Sequence, residues 1–485
     1  MHKKAKGQGK RRASIKRYVA EFAKASGGSA AIVFSLSAVV LMIAIGAAVD
    51  MGRWLHARQQ TVSAVDAAVL AGGRALQVNG ADAAAALEAA DKYYRQNASS
   101  RLAVIDDTIA FSVSDDGMAI TAAGNAYIAT PFLKFANVEK LPLIPPSRSE
   151  FSKAEIAVGG NGGQNVEVSL ILDITTSMYG EKLTALKAAA KDLIDIVVWE
   201  DQSEYYAKVA LAPYAAGVNV ASYANTVRGT IPSGTDTSPG RRNYKFTNTL
   251  GKQKTFPIST CATERTGPQA YTDVSPDTAK VGLNYAASNN EAQMKFPCPS
   301  AQLMPLTSDK TALKSAIDGY VANGPTAGHI GLAWGWYTLS PNWSGVFTGS
   351  STPASYGKLT ETGPRGYPLL KKIAVLMTDG EFNIAYCNGV VSKDTGINVI
   401  SGSDRINCNA PNGRSDAQAL KLCEAMKSAG ITIYTVGFQA GQAANDMLSA
   451  CATDATKVYV AENGDQLRDS FRDIALQLSS LYISK

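Results

Sequence analysis

From Ala25 to Val49 the chain carries no charged side chain. Within that stretch Ala30–Val49 is a run of 20 residues interrupted only by Ser35, Ser37 and Gly46. At ~1.5 Å rise per residue, such a helix is ~30 Å long, the thickness of a bilayer's hydrocarbon core. Nine basic residues and one acid, Glu21, occupy residues 1–28, a net charge of +8. Basic residues on the N-terminal flank put that end on the cytoplasmic side and everything after Asp50 on the outer side. A cleaved leader is the alternative, suggested by the small residues Ala44-Ile45-Gly46-Ala47-Ala48. The apolar run exceeds the ~7–15 residues of a leader's core. The helical pattern also continues through Trp54 and Leu55, so a retained anchor is the expectation.

The remaining 457 residues sum to −2, which with the tail makes the whole-chain charge of +6. No basic surplus is left outside the tail, which argues against a nucleic-acid-binding body. Apolar residues make up 46% and charged residues 18%, a globular rather than disordered balance. A length of 485 residues suggests two or three domains.

After the span (residues 29–50), residues 51–98 read as an Ala-rich helical stalk. Residues 61–90 include 12 Ala, and Asn79-Gly80 divides two helices expected to end near Gln77 and Asn97. Ala64, Ala67, Ala68 and Ala71 form a small-residue face suited to close helix packing, although a solvated spacer is the simpler reading. Residues 99–165 change to a small β region. Thr108–Ser114 and Met118–Ile128 flank a turn at Asp115-Asp116-Gly117, Phe151–Val158 reads as a further strand, and the Gly-rich segment 159–163 reads as a linker.

Residues 166–485 alternate strands and helices. Strands are expected at Val166–Asp173, Lys208–Pro213, Ile373–Met377, Ile431–Gly437 and Lys457–Val460. Helices are expected at Lys182–Val198, Ser308–Ala322 (with Ser308 as N-cap), Ile330–Leu339, Asp416–Ser428, Gly441–Ala450 and Asp465–Leu481. Residues 219–305, rich in Gly, Pro, Ser and Thr, read as a long irregular insertion. The alternation implies an α/β, doubly wound, mostly parallel sheet covered on both faces, with its crevice at the carboxyl ends of the strands.

Two apolar strands run into an aspartate at that end, as Asp173-Ile174-Thr175-Thr176-Ser177 and Thr378-Asp379-Gly380. Hydroxyls two and four residues beyond Asp173 can turn toward one point in a loop. Hard oxygen ligands with few carboxylates suit Mg²⁺, with Mn²⁺ or Ca²⁺ as alternatives, and water or a partner's oxygen completes the shell. Helix capping is the plainer role for both aspartates.

Asp173-Ile174-Thr175-Thr176-Ser177 resembles the metal-ion-dependent adhesion site of von Willebrand factor A domains, whose pattern is Asp-x-Ser-x-Ser. The one departure is Thr175, which keeps the hydroxyl. Thr326 in Gly324-Pro325-Thr326 and Asp379 are similar to that family's remaining protein ligands. The resemblance thus implies a metal set of Asp173, Thr175, Ser177, Thr326 and Asp379. Ala57-Arg58-Gln59-Gln60 and Asp66-Ala67-Ala68-Val69-Leu70-Ala71 after the anchor resemble the TadE/TadG-like segment of Flp pilus assembly proteins. Pro305-Leu306-Thr307-Ser308-Asp309, Gly331-Leu332-Ala333-Trp334-Gly335-Trp336 and Ser479-Ser480-Leu481 are similar to stretches of TadG proteins. Gly27-Gly28-Ser29 lacks the glutamate that follows a prepilin cleavage glycine; Val33 stands in its place. The resemblance implies a single-pass protein of the bacterial inner membrane with a periplasmic or exported body. Its partners would be protein components of a pilus or secretion machine. The alternative is an envelope adhesin with a host or matrix ligand.

Cys261, Cys298, Cys387, Cys408, Cys423 and Cys451 all lie beyond the anchor, which fits disulfides in an oxidising compartment. Six cysteines allow 15 connectivities, of which joining sequence neighbours gives 261–298, 387–408 and 423–451. No phosphate loop or His-Glu-x-x-His motif is present, so no enzyme or small-molecule substrate is expected, and the divalent cation is the one cofactor anticipated. An enzyme would need a general base near the metal, for which Glu381 is the candidate. His329 reads as a solvated helix-start residue, and Trp334, Trp336 and Tyr337 as core packing.

Overall fold

The computed structural model describes residues 29–484 apart from 79–81, 99–100, 102–103, 115–118, 145–149, 157–163, 199–201, 204, 230–241, 287–296, 364–367, 396–403 and 479–480. The basic N-terminal stretch 1–28, the Asp115-Asp116-Gly117 turn, the Gly-rich linker and Ser479-Ser480 therefore lie outside the described residues. The chain divides into two compact units, one formed by residues 1–76, 81–155 and 483–485, the other by 77–80 and 156–482.

In the first unit a single helix runs Ser29–Val78 and a second Ala83–Ala98, either side of Asn79-Gly80. Over Ala31–Leu76 this helix contains a window long and apolar enough to cross a membrane. Its character changes along its length. Phe34, Leu36, Val40 and Met42 are more than half exposed, whereas Ala64, Val65, Ala68 and Val69 are buried. The small-residue face is therefore a packing face rather than a solvated one. Gly72 continues it, where an added Cβ would come 2.4 Å from Ile120 Cδ1 and 3.1 Å from Ala90 Cβ. Ala110–Val113 and Ala119–Ala123 pair antiparallel, as strands on either side of a hairpin turn should. The expected second strand is split, because Gly124 adopts φ +126° and Tyr127–Ala129 pairs instead with Val104–Ile105 and Lys140–Pro142.

The second unit contains β1 (Asn165–Asp173), α1 (Glu181–Val197), β2 (Ala207–Tyr214), β3 (Met304–Thr307), α2 (Lys310–Asp318), α3 (Gly328–Leu339), β4 (Leu370–Thr378), α4 (Ser415–Ser428), β5 (Thr432–Phe438), α5 (Gln442–Cys451), β6 (Val458–Ala461) and α6 (Gly464–Leu478). The six strands form one sheet in the order β3-β2-β1-β4-β5-β6. All pairings are parallel except β3 with β2. Strand side chains alternate between two separate cores. Val168, Leu170, Leu172, Val375 and Met377 pack with α1, α2 and α6. Ile171, Ala212, Tyr214, Ala374 and Leu376 pack with α3, α4 and α5. Both faces are covered, which is why these strands read as unbroken apolar runs.

Three expectations are corrected. The segment 219–305 is not irregular throughout. It contains an antiparallel sheet of Asn243–Thr247, Gln253–Thr263 and Gly282–Tyr285. Its Tyr244, Phe246, Phe256 and Tyr285 join the core on the α3 side. Their period-2 spacing was diluted by the surrounding Gly, Pro, Ser and Thr. The edge strand β3 was also missed, since Met304–Thr307 contributes only four residues. Helix α2 is shorter than expected and is capped by Asp309, not Ser308. The Asp309 carboxylate accepts the Ala312 N–H at 2.9 Å. Disulfides join Cys261–Cys298, Cys387–Cys408 and Cys423–Cys451, the neighbour pairing. The last of these ties α4 to α5 on one face of the sheet.

Candidate functional site

In the order β3-β2-β1-β4-β5-β6 the chain direction of winding reverses between β1 and β4, the position where parallel sheets open a crevice. Asp173 ends β1 and Asp379 directly follows β4. Both sit at the carboxyl ends because Leu370–Met377 pairs in register with Asn165–Leu172.

The loop after β1 folds back on its own aspartate. Asp173 Oδ1 accepts the Thr175 N–H at 2.9 Å and the Thr175 hydroxyl at 2.6 Å. Asp173 Oδ2 accepts the Thr378 hydroxyl at 2.7 Å, and the Tyr214 hydroxyl lies 3.4 Å away. Thr175 Oγ1 and Ser177 Oγ are 2.9 Å apart, and Ser177 Oγ donates to Asp379 Oδ1 at 2.6 Å. Asp379 Oδ2 accepts from Lys182 Nζ, in the first turn of α1, at 2.8 Å. Asp173 is fully buried, Thr175 and Asp379 nearly so, and Ser177 is exposed, so the set opens to solvent on the serine side.

Thr326 reaches this end of the sheet through its loop. Thr176 N–H donates to the Gly324 carbonyl and Gly324 N–H to Thr176 Oγ1, both at 2.9 Å. Thr326 N–H donates to Asn383 Oδ1 at 2.8 Å, and Asn383 N–H returns to the Thr326 carbonyl at 2.9 Å. Three loops are thereby tied together, each junction by one backbone–backbone bond and one backbone N–H to a side-chain oxygen. Helix α3 can lie close enough to hold them because Gly331 and Gly335 face the sheet. A Cβ there would come 2.5 Å from Tyr214 and 2.3 Å from Ile171.

Burial, and then the negative charge of Asp379, push Asp173 up to about 6, against hydrogen bonds from Thr175 and Thr378 that favour its ionised form. The oxygen chain Asp173–Thr175–Ser177–Asp379 has three short contacts but only two hydroxyl protons to fill them. With both carboxylates ionised it is one positive charge or proton short. Two carboxylates, the hydroxyls of Thr175 and Ser177 and unspent negative charge suit a hard divalent cation, whereas Thr326 is joined to this end of the sheet through its backbone bonds to Asn383.

Sequence reasoning missed Lys182, Thr378, Tyr214 and Asn383. Thr378 adjoins Asp379 in sequence, and Lys182 stands nine residues after Asp173 at a helix start, so both carried a local signal. Tyr214 and Asn383 carried none. Glu381 is exposed and lines a cleft with Arg414, Ser415 and Asp416, away from the carboxylate pair's hydrogen bonds. The reading of His329 as solvated is overturned. It is 1% exposed, with Nδ1 2.6 Å from Ser415 Oγ and Nε2 3.7 Å from Glu264 Oε2. The packing of α4 and of the 219–305 segment over the start of α3 encloses it. Trp334, Trp336 and Tyr337 are buried, as expected.

Residues 28–75 match the model of the family described as Flp pilus-assembly TadE/G-like. The match speaks for that tenth of the chain, the apolar helix and the start of the stalk. No curated protein matches the sequence. Among solved structures, the von Willebrand factor domain of the type V pili tip protein Mfa5 from Porphyromonas gingivalis is 14% identical. That alignment covers 65% of this chain and 95% of that one, at a TM-score of 0.35. The adhesive tip pilin GBS104 from Group B Streptococcus agalactiae is 10% identical, with coverage of 79% and 71% and a TM-score of 0.35. The pilus adhesin SpaC from Lactobacillus rhamnosus GG is 12% identical over 76% of this chain, at a TM-score of 0.32. The chain spans only 34% of SpaC's length. Likenesses at these scores carry no argument, and the fold assignment rests on strand order and core packing. The one apolar helix of membrane-spanning length among the described residues and the family match fit a single-pass anchor, and three disulfides suit an extracytoplasmic body.

Proposed function

We propose that this is a non-enzymatic, membrane-anchored assembly protein of a Flp/Tad-type adhesive pilus. Its second unit is read as a doubly wound von Willebrand factor A-type domain that binds a protein partner through a metal-ion-dependent adhesion site. The observation that carries the proposal is the pair of carboxylates, Asp173 and Asp379, joined through Thr175 and Ser177 at the point where the sheet's winding reverses.

Asp173, Thr175, Ser177, Thr326 and Asp379 would hold the cation, Mg²⁺ in first place and Mn²⁺ or Ca²⁺ otherwise. When bound, it would supply a Lewis-acidic position for a partner's carboxylate. The chain's own residues do the positioning. Thr378 and the Thr175 backbone orient Asp173, and Ser177 faces solvent, where a partner can approach. The apolar run holds the body at the bacterial inner membrane, with the basic tail cytoplasmic and the disulfide-bonded unit periplasmic or exported. Pilus or secretion-machinery proteins are the expected partners.

The test is a pull-down with the detergent-solubilised full chain in Mg²⁺ and in EDTA, beside isothermal titration of Mg²⁺ and Mn²⁺ into wild type and Asp173→Ala. Metal-dependent capture of pilus components, with binding abolished in the variant, supports the reading. Unchanged affinity in Asp173→Ala would sink the site assignment.

A further inference from the structure

Within the first unit, one short turn is mounted on the apolar end of the long helix. Residues 31–45 of the helix are exposed apart from a half-buried Ala38, and its first buried positions are Gly46 and then Asp50. A Cβ added at Gly46 would come 2.7 Å from Phe132 Cβ, so the turn lies directly on the helix there. One helical turn later, Asp50 Oδ2 accepts the N–H groups of Phe132 and Leu133 at 2.9 and 2.7 Å. A buried carboxylate thus satisfies donors at the start of the 3-10 turn Leu133–Ala136. Asn137, at φ 60°, closes the far end by donating back to the Lys134 carbonyl at 3.0 Å. The Trp54 indole N–H, donating to the Pro142 carbonyl at 2.8 Å, braces the chain that follows.

The turn so braced presents apolar rings outward. Phe135 is 85% exposed and Phe132 45% exposed, beside an exposed Lys134 whose ammonium lies 3.7 Å from the likewise exposed Glu139, a loose pair that a lipid phosphate can replace. Isolated exposed apolar residues are ordinary, and Phe135 alone would mean little. Its position is what matters. Gly46 lies three residues before Val49, the end of the apolar run, which is ~5 Å along a helix axis. Phe132 therefore sits at the depth where hydrocarbon gives way to headgroups. Phenylalanine beside lysine is a pairing found on segments that lie in that layer, the ring buried at the acyl boundary and the ammonium at the headgroups.

We propose that residues 131–138 form a membrane-interfacial foot. Phe135 and Phe132 insert among the lipid headgroups beside the spanning helix, and Lys134 meets their phosphates. The foot gives the anchor a second point of contact, which fixes the rotation and tilt at which the helix leaves the bilayer. The inference rests on the reading that residues 30–49 span the membrane, and its test separates the two.

All six native cysteines are in disulfides, so one added thiol can be labelled selectively. The full chain is reconstituted in phosphatidylethanolamine–phosphatidylglycerol vesicles with an environment-sensitive nitrobenzoxadiazole probe at Phe135→Cys, Val40→Cys or Glu88→Cys. Lipids spin-labelled near the headgroup or deep in the acyl chain serve as quenchers. The Phe135 probe should be quenched about twofold more by the shallow label than by the deep one, as expected of an interfacial group. The Val40 probe should show the reverse, and the Glu88 probe, on the exposed face of Ala83–Ala98, neither. Deep quenching at Val40 with none at Phe135 overturns the foot and leaves the span standing. No quenching at Val40 overturns both. A Phe135 probe shielded from lipid quenchers and from aqueous iodide alike would report a protein cover and also overturn the proposal.

Discussion

The strands β1 and β4 lie side by side and carry buried charge at both ends, with opposite outcomes. At the amino end Glu167 and Lys372 are register partners and form a buried ion pair. Lys372 Nζ also donates to the Leu339 carbonyl at 2.7 Å. Glu167 Oε1 accepts from Tyr206 OH at 3.0 Å and Ala354 N–H at 2.9 Å. Every charge there has a countercharge and its hydrogen bonds. At the carboxyl end two like charges converge, and among the described residues Lys182, itself partly exposed, is the cation paired with them. A balanced buried pair holds the structure together. An unbalanced one is a place where a ligand can bring the missing charge.

The comparison can be broken in four ways. Removing one partner of the balanced pair, with Lys372→Met, should destabilise the second unit by about 3–5 kcal/mol, because an unpaired carboxylate is left buried. Adding Glu167→Met should recover most of that loss. Urea unfolding of the full chain in detergent measures both, and a mild effect of the single variant would mean the pair is not the structural end.

Asp173→Asn should behave in the opposite way. In EDTA its melting temperature should not fall below wild type, because a repulsive charge has gone. Saturating Mg²⁺ should then add nothing, whereas wild type gains about 2.7 kcal/mol at a metal concentration a hundredfold above Kd.

Acid should act on the same end. Asp173 titrates near 6 when folded and at an ordinary carboxylate value when unfolded. In the metal-free protein its contribution to stability is therefore fully present below the unfolded value and lost as pH rises through about 6. Metal binding runs the other way, since it needs the ionised form. Apparent Mg²⁺ affinity should fall about tenfold at one pH unit below the folded value. Thermal shifts from pH 7.5 to 5 with and without Mg²⁺ would show the gap between the curves closing; a gap independent of pH would exclude Asp173 as a ligand.

The smallest effect is expected at Lys182→Met. Its ammonium competes for the buried Asp379 carboxylate from a side chain that is itself 25% exposed, so affinity for Mn²⁺ should rise by no more than about fivefold. A fall in affinity would show that Lys182 supports the metal site rather than competing for it.

Much of this was legible in sequence because it is local. The long helix, its break at Asn79-Gly80, and the apolar strands running into Asp173 and Asp379 follow from short-range periodicity and turn residues. The insertion's sheet was hidden because its apolar residues are sparse and its pairing partners distant. Among the site residues, Asp173, Thr175 and Ser177 come from one loop and could be read together. The hydrogen bond from Ser177 to Asp379 crosses 202 residues, so only folding brings those two into contact.

The sequence by itself determined the long apolar run, the alternation that dictates a covered parallel sheet, and the oxygen-bearing side chains at its strand ends. Tertiary structure alone decided which charges are balanced. Glu167 and Lys372 are 205 residues apart and meet only through strand register. His329 is enclosed by elements that follow and precede it by dozens of residues, and Phe135 comes to the apolar end of the long helix through Asp50, 83 residues before Leu133. Burial and countercharge are properties of neighbours in space, and no period or motif along the chain encodes them.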